Sequence, residues 1–144
     1  MTASIPGFQR VGHDVAIGGQ PSSDHLAQLK QEGFLSIVNL RPTFEQAGFD
    51  EQAEAIRGGL NYFHIPIVDA DSLTPGAVNV LDGILADPVN LPVVVHCGSG
   101  NRVGALFALR AAWLKGADLH EALRIGRDHG LTRLEDDVRR ILST

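Results

Sequence analysis

Leu91-Pro92-Val93-Val94-Val95-His96-Cys97-Gly98-Ser99-Gly100-Asn101-Arg102-Val103-Gly104 is the stretch that decides the fold. A continuous apolar run ends in His-Cys, a glycine-rich loop follows, and from Asn101 a helical pattern begins. Such a run reads as a strand buried on both faces, which belongs at the centre of a parallel sheet. Where a strand hands over to a helix, backbone N–H groups and the positive end of the helix dipole converge on the connecting loop. Cys97, the only cysteine of the chain, lies at that convergence, with Arg102 close behind it. A lone cysteine is ordinarily a small buried hydrophobe. Here Gly98, Ser99, Gly100, Asn101 and Arg102 make a poor core segment and a good anion cradle, because Gly98 and Gly100 tolerate the positive φ that turns amides inward. Cys97 therefore reads as a nucleophile and residues 98–102 as its oxyanion-binding loop.

Working outward, the flanking chain alternates strands and helices. Ser22 and Ser23 cap a helix carrying Leu26 and Leu29 that stops near Gly33. Residues 34–40 read as a strand closed by Arg41-Pro42, and 61–67 as another, with Pro66 marking its end or an edge. Between them, Glu45 to Leu60 shows Ala53, Ala55 and Ile56 at helical spacing and ends at Gly58-Gly59. Thr74-Pro75 is a good cap and first turn for a helix through Leu85. Three helical pieces follow the cysteine loop: 102–115, stopped at Gly116; 118–129, stopped at Gly130; and 132–142. Trp113, with Leu106 and Leu109, reads as helix core rather than as a binding box. The pattern predicts an α/β fold with a mostly parallel central sheet flanked by helices. The cysteine loop then lies at the carboxyl end of the central strand, where such sheets place their ligands.

A chain of 144 residues, 44% hydrophobic and 20% charged, is one globular domain, 1–144, with residues 1–11 as an N-terminal extension. The formal net charge of −5 argues against a nucleic-acid or anionic-membrane binder, which would show a basic face, and leaves room for a local anion site. A single cysteine forms no internal disulfide, so a reducing cytoplasm is the expected compartment. The amino terminus has neither the basic nor the apolar part of a secretory signal. The longest apolar candidate, 103–114, is broken by Arg110 and spans no membrane. The remaining histidines, His13, His25, His64, His120 and His129, show no metal-ligand spacing, and neither metal nor cofactor is expected.

A dinucleotide site does not fit: the glycine spacing is off by one residue and the loop follows a late strand. A Walker-type loop does not fit either, because Gly-Lys-Ser/Thr is missing. His96-Cys97, four residues, then Arg102 resembles instead the signature of the cysteine-dependent phosphatases. Gly19-Gln20-Pro21, then 37–41 (Ile-Val-Asn-Leu-Arg), then 63–67 (Phe-His-Ile-Pro-Ile) and Asp69 extend the resemblance. From about Gly12 to Leu142 the chain is similar to the bacterial dual-specificity-phosphatase-like family that supplies the phosphatase-like domain of beta-lactamase hydrolase-like proteins. It departs from the usual phosphatase signature in having four rather than five residues between Cys97 and Arg102, and Val103 in place of a hydroxyl residue. Four is the loop length of rhodanese-like sulfurtransferases.

The resemblance implies a phosphatase fold and a phosphate-monoester hydrolase, with Asp69 as general acid and Asp71 in reserve; Asp69 reads equally well as a turn cap. Its substrate would be a small anionic or phosphorylated molecule. A sulfurtransferase reading would give Cys97 a persulfide and require an external thiol acceptor. A third class, an oxyanion-binding or redox-sensing module with little turnover, uses the same loop. His96 points away from Cys97 by strand alternation and reads equally as a residue that steadies the loop from behind and as a packed, satisfied core histidine. Arg41, at a strand end on the same edge, adds positive potential or forms a salt bridge.

Overall fold

The computed structural model describes residues 4–143. Its five-stranded sheet has the order β1-β2-β5-β3-β4. The strands are β1 (Gln9–Arg10), β2 (Val15–Gly18), β3 (Ser36–Asn39), β4 (Asn61–His64) and β5 (Val93–His96). Only the edge pair β1–β2 is antiparallel; β5 lies parallel to both β2 and β3 at the centre. The helices are α1 (Ser23–Gln31), α2 (Glu51–Arg57), α3 (Pro75–Ala86), α4 (Asn101–Lys115), α5 (Leu119–Asp128) and α6 (Glu135–Leu142).

Strand alternation divides the core. Val93, Val95 and Cys97 face α3–α6 with Leu81, Leu106, Leu109 and Leu123. Val94 faces the other layer with Leu26 and Leu29 of α1, Ala55 of α2 and Phe34. β5 is buried along its whole length, as its unbroken apolar run requires. The mixed α/β architecture and the parallel sheet expected from the sequence are both present.

Several elements differ from the sequence expectation. The stretch read as one helix from Glu45 to Leu60 is helical only over α2; Gly48 takes φ 87°, and Asp50 starts α2 by accepting from the Ala53 N–H. Trp113 is 36% exposed, so it lies on the surface of α4 rather than in its core. β1 and β2 carry little alternation to read: β2 is four residues long and mostly buried. Residues ahead of β2 also join the domain, since Ile5 is buried and β1 extends the sheet. The strands read at 34–40 and 61–67 pair formally over β3 and β4. Their continuations still bond across the sheet, Leu40 N–H to His96 O and Ile67 N–H to Leu40 O.

Candidate active site

Cys97 follows β5 directly. Its N–H donates to Gly18 O (3.2 Å), which fixes the loop against β2. Its side chain is buried, and Sγ accepts from the Gly100 N–H at 3.0 Å. That contact curls the loop around the sulfur. Gly100 takes φ 93°, a left-handed conformation suited to glycine, and then starts α4 with no side-chain cap. The amino end of a 15-residue helix is thus left turned toward the loop. Gly98 and Ser99 are exposed at its rim. Gly19 packs against the same loop so closely that a Cβ there would stand 2.5 Å from Gly98 O.

Arg102 is held rigidly. Its Nη1 and Nη2 donate to the two carboxylate oxygens of Glu45, each at 2.9 Å, and Nη1 also donates to Ile67 O at 3.0 Å. A guanidinium can grip a pair of oxygens end-on or along its Nε–Nη2 edge. Glu45 takes the end-on fork and leaves the side edge toward Gly98, where a Cβ would lie 3.2 Å from Nη2. The Glu45 hydrogen bond raises the pKa of Arg102 against the opposing effect of burial, and the charge of Cys97 adds to the rise. Glu45 is correspondingly lowered, chiefly by Arg102.

Behind the loop lies a hydrogen-bonded chain of polar side chains. His96 is fully buried on the α2 side of the sheet, opposite Cys97. Its Nε2 meets Glu51 Oε2 at 2.7 Å and its Nδ1 lies 3.3 Å from Cys97 O, so both ring nitrogens face oxygen acceptors. Burial pushes Glu51 upward, but His96, Gln20 and Arg41 together outweigh it and the pKa is lowered. The other Glu51 oxygen accepts from Gln20 Nε2 at 2.8 Å. Gln20 Oε1 accepts from Arg41 Nη1 at 2.5 Å, and Arg41 Nε donates to Glu45 Oε1 at 3.2 Å. The backbone of Arg41 is itself pinned, its N–H by Asn39 Oδ1 (2.9 Å) and its carbonyl by His64 Nε2 (2.5 Å).

The start of α4 is held from the far side. Asn101 Oδ1 accepts from the Thr132 N–H (2.9 Å), the Thr132 hydroxyl (3.2 Å) and the Leu134 N–H (3.2 Å). The carboxamide oxygen of Asn101 therefore serves the α5–α6 turn, and what the residue offers the loop is backbone. Gly130 (φ 102°) passes beneath Gly100, where a Cβ would stand 2.7 Å from Gly100 O.

The structure thus brings together His96, Cys97, the 98–101 backbone, Arg102 and Arg41. Asp69 stands apart from these contacts. It is exposed, starts a short 3-10 turn (Ala70–Ser72) and accepts from the Asp71 N–H through Oδ1 at 2.9 Å. It lies two residues beyond Ile67, whose carbonyl holds Arg102. A cavity of about 440 Å³ adjoins the network, lined by Gln20, Glu45, Glu51, Tyr62 and His64 among others. No group of three or more His, Cys, Asp or Glu side chains suited to a metal occurs among the described residues. Among them, too, no helix is long and apolar enough to cross a membrane.

Sequence reasoning missed Gln20, Glu45 and Glu51 as site residues. Gln20 stood in the Gly-Gln-Pro motif with no role attached to it. Glu45 and Glu51 fell in the segment read as one polar helix, where a carboxylate signals only a solvated face.

Comparison with known proteins places the chain in a family and a fold. Residues 7–114 match the phosphatase-like domain of beta-lactamase hydrolase-like protein. A beta-lactamase hydrolase-like protein of Xylella fastidiosa (strain Temecula1) is 35% identical over 124 residues, which is 83% of this chain and 28% of that protein. One from Agrobacterium fabrum is 29% identical over 128 residues, 84% of this chain and again 28% of the relative. The chain thus spans little more than a quarter of the length of the curated relatives it matches. Among solved structures, Tk-PTP in its active form superposes with a TM-score of 0.73 at 21% identity, covering 95% of this chain and 96% of that one. TpbA of P. aeruginosa in complex with pTyr gives 0.65 at 18% identity, covering 93% of this chain and 81% of that one. The fold is that of the protein-tyrosine-phosphatase-like phosphatases, and the chain belongs to the beta-lactamase hydrolase-like phosphatase-like domain family.

Proposed function

We propose that this member of the beta-lactamase hydrolase-like phosphatase-like domain family is a cysteine-dependent phosphomonoesterase. The Cys97 sulfur attacks phosphorus in line with the leaving oxygen. A sulfur–phosphorus bond forms as the phosphorus–oxygen bond breaks, and the electron pair leaves on the oxygen. Asp69 donates its proton to that oxygen, and Asp71 is the neighbouring alternative. Water then attacks phosphocysteine, releasing phosphate and restoring the sulfur, with the carboxylate taking the proton back. The loop N–H groups of residues 98–101 and the side edge of Arg102 hold the phosphoryl oxygens while charge moves.

One observation carries the reading. The sulfur is already cradled by the Gly100 N–H at 3.0 Å, while Glu45 and Ile67 fix the arginine that would share the phosphoryl group with it. Such preorganisation suits a reaction whose catalysis is mostly positioning and electrostatics. The phosphotyrosine bound by TpbA makes a phosphorylated ligand the natural class to test first.

The test is phosphate release from an aryl phosphate, with sulfur transfer from thiosulfate to cyanide measured on the same preparation and Cys97→Ser as control. Cys97-dependent phosphate release with little sulfur transfer is expected. The four-residue spacing between Cys97 and Arg102 is the observation that favours the sulfurtransferase reading. Sulfur transfer without phosphate release would establish it, with an external thiol as acceptor. Tight phosphate binding with neither activity would make the domain an oxyanion-binding module.

A further inference from the structure

We infer that Gln20 is a positioning residue of the catalytic apparatus, the single amide through which the support of the nucleophile and the support of the catalytic arginine are joined. Its donor end holds Glu51, which holds His96 beside Cys97. Its acceptor end holds Arg41, which with Arg102 grips Glu45 from two sides. The chain His96–Glu51–Gln20–Arg41–Glu45–Arg102 alternates donor and acceptor without a break. Only an uncharged group carrying both kinds of atom can stand at its centre. A carboxylate there would repel Glu51, and an ammonium would repel Arg41. Gln20 also adjoins Gly19, which touches the catalytic loop at Gly98. The Gly19-Gln20-Pro21 motif is thereby accounted for: Gly19 admits the loop, and Gln20 ties together what lies on either side of it.

An arginine in an anion site binds best when its fork is already aimed, because less side-chain freedom is lost on binding. Gln20 contributes to that aim through two intermediaries and touches no reacting atom. The inference rests on the phosphatase reading for its link to turnover, but two of its readouts do not depend on turnover.

Gln20→Met keeps the side chain's length and removes its hydrogen bonds to Glu51 and Arg41, together with the local one to Pro21 O. Three properties are measured: inorganic phosphate affinity by calorimetry, the kinetics (kcat and KM) on an aryl phosphate, and Tm. Phosphate Kd is expected to rise and kcat to fall, each by roughly tenfold, as for losing one hydrogen bond to a charged group. Tm should drop by only a few degrees, on the order expected for a partly exposed contact. Glu45→Gln should weaken phosphate binding similarly, and Gln20→Met added to it should do little more, since both act on Arg102 along one path. Gln20→Glu restores the acceptor for Arg41 but sets a second carboxylate against Glu51. Phosphate affinity should then fail to recover, because the centre needs an uncharged group carrying both kinds of atom.

Fully additive effects of Gln20→Met and Glu45→Gln would overturn the inference, as would unchanged phosphate affinity in Gln20→Met. A wild-type protein that releases no phosphate from ester, while Gln20→Met still weakens phosphate binding, would overturn the phosphatase reading and leave the positioning role standing.

Discussion

Asp69 accepts a backbone N–H through one carboxylate oxygen, as a turn-capping aspartate does, yet its side chain is exposed on the same connection that lends Ile67 O to Arg102. The cap and the acid are therefore compatible roles for one residue, and kinetics separates them. Asp69→Asn preserves the cap. As the general acid's replacement it should slow release of a poorly leaving phenol or alcohol by about a hundredfold, and p-nitrophenol, which needs no proton, by less than about threefold. Equal losses for both leaving groups would leave Asp69 with the cap alone and turn attention to Asp71. The proposed nucleophile and its arginine stood out in the sequence because both sit in one short motif whose glycines have no better explanation. Gln20, Glu45 and Glu51 did not. They come from two stretches far from the cysteine motif, and their meaning exists only in the distances between them.

At the scale of elements, the cysteine loop is as well placed as α4 is, and α4 is placed by glycines. Gly104 lies against the chain leaving α5: a Cβ there would meet Leu131 N at 2.1 Å and Gly126 O at 2.7 Å. These are backbone atoms, which cannot step aside as a flexible side chain can. Gly104→Ala should cost about 3 kcal/mol, the upper range for overpacking a tight contact. It should lower kcat as well, because the same turn holds Asn101. Gly83→Ala in α3 is the comparison: it is exposed with nothing within 4 Å of the new methyl, and should stabilise by about 0.5–1 kcal/mol. Thermal unfolding of the two variants beside the wild type checks both figures. The helices after the cysteine were legible from their glycine stops. The chain from Pro42 to Asp50 was not, because alanines and glutamates at helical spacing continue backwards from α2 past Asp50 and Gly48, and only the left-handed φ at Gly48 ends the pattern.

For the whole molecule, the shifted groups set a one-sided response to acid. Burial lowers the pKa of His129, against its hydrogen bond to Ile125 O and the charge of Asp128, so the folded state favours the neutral ring stacked on Phe107. That contribution is complete above the unfolded value near 6.5 and is lost as pH falls below it. Glu45 and Glu51 are also lowered, and Glu135 is pulled down to about 2 by Arg127. Their contributions are complete above the ordinary carboxylate range and are lost as pH falls through their folded values. Tm should therefore decline in two stages on acidification, the first below about pH 6.5. His129→Gln should remove the first stage and keep the second. A wild-type Tm flat from pH 7 to pH 5 would contradict the assignment. His129 sits one residue before Gly130, which underlies Gly100, so the first stage should be accompanied by a loosened cysteine loop.

The contact of Gly19 with Gly98 O makes two stretches of sequence nearly eighty positions apart behave as one heritable unit. A descendant that gains a side chain at 19 must reshape the turn after the cysteine, and one that lengthens that turn by a residue must find the room where Gly19 now stands. Relatives with the longer spacing should differ at both places together. Transplanting the cysteine loop alone onto another scaffold should fail until the first loop travels with it.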